Sequence, residues 1–450
     1  MSLAQILALI IFALMFAAIT SGKIHRYIAA LIGAALMIVI VFLIVMKSPH
    51  AFWSVLNLAQ LGHANFWLPG AHPIESQGVN WQTIIFIGGM MVMVCGLEAV
   101  GFFRWLCLYT ARLAGCRVVP ILVSFMLLSG FLSMFIDSIT VMLFLSMVTI
   151  ELARLLKFDP VPIIVAEIFA ANTGGSATMS GDPPNIIIGT AYGFTFTDFA
   201  VNTGLIAWAG MLLAILYFYF VFRKSLKQQT EPAEMMKACP LPGSAIINPL
   251  LFRLATGVFI TTVVLLITHA QTGLSVATIG VISAVLSIAI SGRKAPKILK
   301  NVDWRTILFF FGLFVCVSGL EVTGVLEKVA RLIGDLSGGK LTIAMAFILW
   351  LSAFLSAFID NIPFAATMVP IVSDLSHSGM SLPVLAWALS LGTDIGGNAT
   401  PIGASANVVG TAVAEKEGYP IGWGRFLKYA ALPMVLVVGL CHLLLIWRYT

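Results

Sequence analysis

The sequence contains few charged residues, since Asp, Glu, Lys and Arg make up 10% of its 450 positions. Soluble globular proteins carry roughly 25%, so this composition excludes an ordinary soluble enzyme. Apolar residues make up 60% of the chain and the mean hydropathy is +1.03, which predicts helices that cross a membrane several times. The longest polar stretch, residues 223–248, is too short to form a hydrophobic core of its own.

Several motifs of enzymes and cofactor-binding proteins are missing. There is no glycine-rich P-loop, so we expect no ATP site, and a separate ATPase subunit has no support in the sequence. The seven histidines form no HExxH motif and the six cysteines no CxxC pair, so we expect no transition metal and no cofactor beyond a coupling ion. We interpret all the cysteines as small apolar side chains; they are Cys95, Cys107, Cys116, Cys239, Cys316 and Cys441.

The basic residues are scattered between apolar runs, although the net charge is +6. This distribution argues against a nucleic-acid partner. Along the predicted path through the bilayer, 20 of the 25 lysines and arginines lie on one side and five on the other. The positive-inside rule assigns the richer side to the cytoplasm and both termini to the exterior. We therefore expect a multi-pass protein of the cell (inner) membrane, with the lipid bilayer as its main partner.

The chain contains an internal repeat. A shift of 223 residues places 80–101 on 303–324 with 11 of 22 positions identical. The same shift places 131–139 on 354–362 with seven of nine identical, including an aspartate in each copy. Because each copy crosses the membrane an odd number of times, the second copy is inverted relative to the first.

The apolar runs predict an all-α polytopic membrane protein built from two inverted repeats. We expect about ten transmembrane spans, two re-entrant helical hairpins and two discontinuous helices, because broken helices at membrane depth occur only where protein or water satisfies the backbone. The predicted boundaries are 1–222 for the first repeat (hairpin 118–157, broken helix 161–192), 223–250 for a cytoplasmic linker and 251–450 for the second repeat (hairpin 341–375, broken helix 384–414).

Each predicted hairpin carries an aspartate at its tip, Asp137 or Asp360. A carboxylate at the centre of a membrane helix costs at least ~2.5 kcal/mol on insertion scales, so it needs a function. The neighbouring Ser138, Thr140 and Asn361 offer further oxygens of the kind that bind Na⁺ or exchange protons. The alternative is that each aspartate only caps the second helix of its hairpin.

A second pair of motifs, Gly174–Asn185 and Gly396–Asn407, aligns with six of twelve positions identical. Their glycines let the backbone turn towards a ligand, and each is followed by a short helix whose amino end can face an anion. Asp182 has Ala404 as its counterpart and is either a proton-exchanging group or a helix cap; Glu167 is a further candidate proton site. The candidate ion- or substrate-binding residues are Asp137, Ser138, Thr140, Asn172, Thr173, Gly174, Gly175, Thr178, Asp182, Asn185, Asp360, Asn361, Asp394, Gly396, Gly397, Asn398, Thr400, Ser405 and Asn407.

Three segments resemble the ion transporter superfamily: Gly-Asp-Pro-Pro-Asn at 181–185, Phe-Ile-Asp-Asn-Ile-Pro at 358–363 and Ile-Gly-Ala-Ser-Ala-Asn-Val-Val at 402–409. Within it they are similar to permeases with a citrate transporter-like domain, namely the ArsB arsenite permeases, the NhaD sodium/proton antiporters and the pigmentation P protein. Divalent anion/sodium symporters are more distantly similar. The resemblance covers nearly the whole chain.

This resemblance implies Na⁺ sites at Asp137/Ser138 and Asp360/Asn361, each completed by the glycine-rich loop of the same repeat. It also implies a homodimer that moves its substrate by an elevator motion. One departure affects the first site, because the superfamily usually has Asn after the first hairpin aspartate and this chain has Ser138. A serine keeps an oxygen ligand but lacks the amide.

We predict a secondary active ion transporter coupled to Na⁺ or H⁺, not an enzyme. The central motifs contain carboxylates but no lysine or arginine, which favours Na⁺ or H⁺ as at least one transported ion. Na⁺/H⁺ exchange or efflux of an anion such as arsenite is the leading prediction. Cation-coupled symport of a carboxylate such as citrate, or a passive anion channel on the same scaffold, are the alternatives. An intramembrane aspartic protease also has two membrane aspartates, but its Tyr-Asp and Gly-x-Gly-Asp motifs are absent.

Overall fold

The computed structural model describes residues 1–21, 23–68, 78–226 and 236–450. Within these ranges the chain forms helices and no strands, and nine helices are long and apolar enough to cross a bilayer. The predicted all-α polytopic fold is therefore confirmed. Residues 69–77, which precede the third predicted span, and residues 227–235 of the predicted linker lie outside the described residues.

The helix boundaries follow the apolar runs of the sequence. The helices before residue 223 are Leu3–Thr20, Arg26–Leu36 (continued by the π-helix Met37–Val45), Pro49–Leu56, Ala64–Trp67, Trp81–Ala99, Phe102–Leu113, Val118–Leu132, Ser138–Leu156, Val161–Gly175, Pro183–Tyr192, Phe196–Phe199 (continued by the π-helix Ala200–Gly204) and Leu205–Phe222. The helices after residue 248 are Pro249–Ile267, His269–Thr272, Val276–Ser291, Ala295–Asn301, Trp304–Val322, Val325–Ser337, Leu341–Ser356, Asn361–His377, Leu382–Gly396, Ser405–Lys416 and Trp423–Tyr449.

Two helical hairpins and two interrupted helices form the centre of the protein, as predicted. They are hairpin 1 (Val118–Leu132 and Ser138–Leu156), broken helix 1 (Val161–Gly175 and Pro183–Tyr192), hairpin 2 (Leu341–Ser356 and Asn361–His377) and broken helix 2 (Leu382–Gly396 and Ser405–Lys416). In each half, the first helix of the hairpin packs along the first part of the broken helix.

The tip aspartates cap the second helix of their hairpins. Asp137 Oδ1 accepts a hydrogen bond of 3.0 Å from the backbone N–H of Thr140, and Asp360 Oδ1 accepts one of 3.1 Å from that of Ile362. Amino-terminal N–H groups of a helix lack partners within the helix, and lipid cannot satisfy them. The caps therefore satisfy backbone N–H groups at both hairpin turns.

Small residues let each hairpin approach its broken helix at backbone contact. A Cβ added at Gly174 would lie 2.2 Å from the carbonyl oxygen of Gly130, and one added at Gly396 would lie 2.2 Å from the Cα of Ala353. The two contacts are equivalent in the repeat. They place the chain breaks of both halves directly beside the hairpin turns.

A pair of tightly packed helices supports each half from outside. Trp81–Ala99 packs on Val276–Ser291, and Trp304–Val322 packs on Arg26–Leu36. Glycines again mediate the contacts, since a Cβ at Gly89 or at its repeat equivalent Gly312 would collide with backbone of the partner helix. Each pair therefore combines one helix of the first repeat with one helix of the second repeat.

Each half also has a helix that the sequence analysis did not predict, Phe102–Leu113 or Val325–Ser337. Each begins after a glycine with positive φ, Gly101 at 85° or Gly324 at 73°. Because such φ values are readily adopted by glycine and rarely by other residues, these positions allow the sharp turn out of the preceding span.

The segment between Val45 and Trp81 is longer than its equivalent between Ser291 and Trp304, and its described part, here called the insertion, packs against the second repeat. The backbone carbonyl of Trp67 accepts hydrogen bonds from Ser275 N (3.1 Å) and Thr278 Oγ1 (2.7 Å). Trp81 Nε1 donates to the carbonyl of Leu56 at 2.9 Å. These contacts hold the insertion over the start of the helix Val276–Ser291.

The cysteine interpretation is wrong for two of the six residues. Cys116, which follows the helix Phe102–Leu113, forms a disulfide with Cys239 in the linker. The linker segment Pro242–Ala245 also packs on this helix, and Ile247 N donates to the carbonyl of Val100, just before the helix, at 3.3 Å. The two cysteines are 123 residues apart, so no local spacing could reveal the pair. The other four cysteines are free.

The glycine contacts predict a position-dependent response to added methyl groups. Gly174→Ala should lower the free energy of unfolding by ~1–3 kcal/mol, because overpacking a tight contact costs about that much. Gly257→Ala is the matched control, since a Cβ there meets nothing within 4 Å. Thermal unfolding of the purified variants in detergent measures the effect; equal melting temperatures would contradict the close packing.

The charge bias places the linker in the cytoplasm. Its disulfide with Cys116 favours the exterior instead, because disulfides are rare in the cytosol. We expect the charge bias to prevail, so that the exposed Ser244 of the linker faces the cytoplasm. A Ser244→Cys variant should react with a membrane-impermeant maleimide in inverted vesicles and not in intact cells. Lys340→Cys, on the opposite side, should show the reverse; labelling of Ser244→Cys in intact cells would invert the topology.

Candidate functional site

Asp182 connects the tips of both hairpins. It lies in the break of broken helix 1 and is 2% exposed. Its Oδ1 accepts a hydrogen bond of 2.6 Å from Ser138 Oγ at the tip of hairpin 1, and its Oδ2 accepts one of 2.8 Å from Asn361 Nδ2 at the tip of hairpin 2. One carboxyl group therefore joins the two repeats at their centre.

A second carboxyl group, that of Asp394, lies against Asp182. Asp394 is fully buried in the last turn of the first part of broken helix 2 and interacts with Asp182 and Asn185. Among the described residues, neither carboxyl oxygen of Asp394 has a hydrogen-bond partner. Two neighbouring buried carboxyls cannot easily both ionise without a cation. The pair is therefore suited to share a proton or to bind a cation.

Two asparagines close the loops of the broken helices in the same way. Asn185 Nδ2 donates to the carbonyls of Gly175 (3.0 Å) and Thr178 (3.1 Å). Asn407 Nδ2 makes the equivalent bonds to the carbonyls ten and seven residues before it, each at 2.7 Å. These bonds satisfy backbone that has left the helix, as burial requires.

The same asparagines link the two repeats. Asn172 Nδ2 donates to Asn398 Oδ1 (2.9 Å) and to Asn407 Oδ1 (2.8 Å), and Ser390 Oγ donates to Asn185 Oδ1 (2.6 Å). All five side chains are completely buried. Asn172 Oδ1 has no hydrogen-bond partner among the described residues, so an acceptor is left available at the repeat interface.

Thr178 and Thr400 serve to attach the broken helices to the hairpins. Thr178 Oγ1 donates to the carbonyl of Met134, and Thr400 Oγ1 donates to the carbonyl of Ala357. Thr173 Oγ1 likewise bonds within its own helix, to the carbonyl of Phe169 at 2.8 Å. These three hydroxyls, predicted as ligands, are already engaged with backbone carbonyls.

The glycines of both motifs allow the loops to fold back on themselves. A Cβ at Gly175 would contact Asp182 Cβ at 3.2 Å, and one at Gly397 would contact Ala404 Cβ at 3.1 Å. At this position the equivalent loops differ, because the first carries the carboxyl group of Asp182 and the second the methyl group of Ala404. The carboxyl of the second half is supplied instead by Asp394.

Asp137 lies at the same tip as Ser138 but does not contact Asp182 through a hydrogen bond. Its Oδ2 accepts a bond of 2.8 Å from Thr140 Oγ1, and the residue lines a cavity between the two repeats. The cavity is lined by Phe86, Ile87, Met90, Met91, Phe135, Asp137, Ile139, Ser180, Pro183, Ile186, Thr306, Phe310 and Ile362. Asp137 and Ser138 therefore face different surroundings.

Asp360 is paired with a residue that the sequence analysis missed. Arg26 Nη1 lies 3.3 Å from Asp360 Oδ2 and donates to Ser405 Oγ at 2.8 Å. Arg26 belongs to the second helix of the chain, 334 residues away from Asp360. No local motif marks it, because tertiary packing alone brings it to hairpin 2.

Glu167 is completely buried in broken helix 1 and lies apart from the central pair. Its Oε1 accepts a hydrogen bond from Thr149 Oγ1 of hairpin 1, while Oε2 has no hydrogen-bond partner among the described residues. An unpaired buried carboxyl oxygen is suited to carry a proton. Across the described ranges, no group of three or more His, Cys, Asp or Glu side chains could hold a metal ion.

The sequence is similar to those of several known membrane proteins. The family model described as citrate transporter matches residues 7–392. The chain is 32% identical to the 46 kDa membrane protein of Mycobacterium leprae, over 99% of both chains. It is 31% identical to an uncharacterized transporter of Mycobacterium tuberculosis, again over 99% of both. It is 29% identical to the human P protein, over 93% of this chain and 59% of that protein.

Two solved structures share the fold. The YdaH transporter of Alcanivorax borkumensis superposes with a TM-score of 0.58 at 14% identity, over 99% of this chain and 98% of that one. MtrF of Neisseria gonorrhoeae superposes with a TM-score of 0.54 at 13% identity, over 98% of this chain and 95% of that one. At this identity the likeness concerns the fold alone.

The asparagine bonds predict a strong effect of truncation on stability. Asn185→Ala should lower the free energy of unfolding by ~1–3 kcal/mol or more, because it leaves buried carbonyls and Ser390 without partners. The exposed Asn301→Ala serves as the control and should change little. Thermal unfolding in detergent checks both, and equal stability of the two variants would disprove the closing role of Asn185.

Proposed function

The chain belongs to the citrate transporter family, and from that premise we propose that it is a secondary active transporter coupled to Na⁺ or H⁺ at the Asp182–Asp394 pair. Membership confirms the superfamily resemblance found in the motifs and makes the protein a membrane transporter rather than an enzyme. The coupling ion and its site are our proposal.

The carboxyl pair supports cation coupling because it is both buried and incomplete. Asp182 is fully supplied with donors, whereas both oxygens of Asp394 lack hydrogen-bond partners in the part of the chain that the structure describes. A buried ionised carboxylate is costly unless it is neutralised. A proton or a monovalent cation between the two carboxyl groups removes this cost. Binding of such an ion therefore lowers the free energy of the buried pair.

The position of the pair explains how occupancy could act on both hairpins. Asp182 receives hydrogen bonds from Ser138 of hairpin 1 and Asn361 of hairpin 2. Binding of a cation or loss of a proton at Asp182 changes the strength of these bonds. The conformation of the tips is in this way linked to the ion gradient.

The first candidate for the transported species is Na⁺ exchanged against H⁺, or an arsenite-type anion that leaves the cell at the expense of H⁺. For Na⁺/H⁺ exchange the carboxyl pair suffices, since both ions compete for the same oxygens. Glu167 offers a second proton position inside hairpin 1 and broken helix 1.

A second candidate is cation-coupled symport of a carboxylate such as citrate. It is favoured by the description of the family and by Arg26, which places a positive charge and donors beside Asp360 of hairpin 2 and Ser405 of broken helix 2. Guanidinium groups bind carboxylates well. A passive anion channel on the same scaffold remains an outcome of the flux test below.

Reconstituted protein tests the coupling. In proteoliposomes that contain a pH-sensitive dye, we expect uphill ²²Na⁺, arsenite or citrate movement driven by an imposed H⁺ or Na⁺ gradient. Asp182→Asn and Asp394→Asn should each reduce this coupled flux to the level of empty liposomes, because an amide cannot bind or release a proton at the pair. Asp335→Asn, an exposed acidic residue, is the matched control and should transport normally.

The possible outcomes separate the candidates. Movement down a gradient without accumulation would identify a channel and contradict secondary active transport. Unchanged coupled flux in both aspartate variants would contradict the assignment of the coupling site to Asp182 and Asp394.

A further inference from the structure

Arg26 makes three hydrogen bonds around the tip of hairpin 2. Its Nη1 reaches Asp360 Oδ2 (3.3 Å) and Ser405 Oγ (2.8 Å), and its Nη2 donates to Thr306 Oγ1 (2.9 Å). The guanidinium also lies over the ring of Phe309, 5.1 Å from its centroid. The side chain is 27% exposed, so it is held within the protein rather than extended into solvent.

Both carboxylate oxygens of Asp360 accept hydrogen bonds. Oδ1 caps its own helix through Ile362 N (3.1 Å), and Oδ2 receives both Arg26 and Ser405 Oγ (3.2 Å). The Arg26 guanidinium is therefore the positively charged partner of this carboxylate. A positive charge is thus already present at this tip.

Among the described residues, the tip of hairpin 1 has no counterpart of Arg26. Gly312 packs on Ala30, and its equivalent Gly89 packs on Gly280, so the repeat relates the helix Arg26–Leu36 to Val276–Ser291. Counting back four residues from Ala30 and from Gly280 reaches Arg26 in one helix and Val276 in the other. Within the described residues, Asp137 forms no ion pair.

The contact of Arg26 also joins two separately packed parts. Arg26 and Thr306 stand on the helices Arg26–Leu36 and Trp304–Val322, which pack closely on each other. Asp360 and Ser405 stand at the tip of hairpin 2 and at the start of the second part of broken helix 2. Any displacement of hairpin 2 relative to this helix pair has to separate the guanidinium from the carboxylate.

We propose that Arg26 is a tethered cation that fills the ion position at the tip of hairpin 2. Asp360 consequently takes no free cation while Arg26 is in place, and the free coupling ion binds at carboxyls of the centre instead. The inference rests on the proposed function in that it assigns the roles of the acidic groups at the same site. It makes Arg26 the residue that sets how many free cations the protein binds.

Removal of the arginine side chain tests the proposal. Arg26→Ala should create a cation site at Asp360, because the carboxylate then loses its partner. We expect the purified full-length variant in detergent to bind one more ²²Na⁺ per chain than the wild type in a scintillation proximity assay, or to rise in melting temperature by several degrees with methylguanidinium. Methylguanidinium should not raise the melting temperature of the wild type. The double variant Arg26→Ala/Asp360→Asn should show neither the additional ²²Na⁺ binding nor the stabilisation.

Two controls make the result specific. Arg26→Lys keeps a charge on the same helix and should not gain a site, and Arg331→Ala removes an exposed arginine that pairs with Glu327 and should behave as the wild type. If folded Arg26→Ala gains neither ²²Na⁺ binding nor stabilisation by methylguanidinium, the proposal is wrong. Its failure is distinct from that of the proposed function, which depends on coupled flux in the Asp182 and Asp394 variants.

Discussion

The structure depends on the hydrogen bonds that Asp182 accepts from Ser138 and Asn361. A membrane interior offers no water to satisfy a polar group, so every oxygen and nitrogen at the centre needs a protein partner or an ion. Asp182 meets this requirement by receiving one donor from each hairpin. The two repeats are therefore joined through hydrogen bonds to one buried carboxyl group, rather than through apolar contact alone.

Around this carboxyl group the repeat is symmetric in backbone and asymmetric in chemistry. Asn185 and Asn407 close the two loops with equivalent bonds. The acidic groups follow no such symmetry. Ala404 is the repeat equivalent of Asp182, and among the described residues the tip of hairpin 2 has an arginine that the tip of hairpin 1 lacks. Duplication thus supplied the scaffold that brings the breaks together, and later divergence made the two halves unequal in charge.

The candidate residues fall into two groups once their partners are known. Thr178, Thr400 and Asn407 serve the loops, since their side chains bond to backbone carbonyls. Asp182 and Asp394 form the pair to which we assign ion exchange in the proposed function. Residue type and spacing placed both groups in one region correctly, but they could not separate structural from ion-exchanging side chains, because an asparagine or threonine has the same sequence signal in either role.

Apolar length, glycine pairs and repeated aspartates act locally along the chain, so the sequence was enough to predict the membrane class, the internal duplication, the hairpins and the helix breaks. Its short motifs also indicated the transporter family. The contacts of Asp394 with Asp182, of Arg26 with Asp360 and of Cys116 with Cys239 became visible only in the folded structure. Each of these contacts links residues more than 100 positions apart, and the packing of helices, which no local pattern encodes, brings them together.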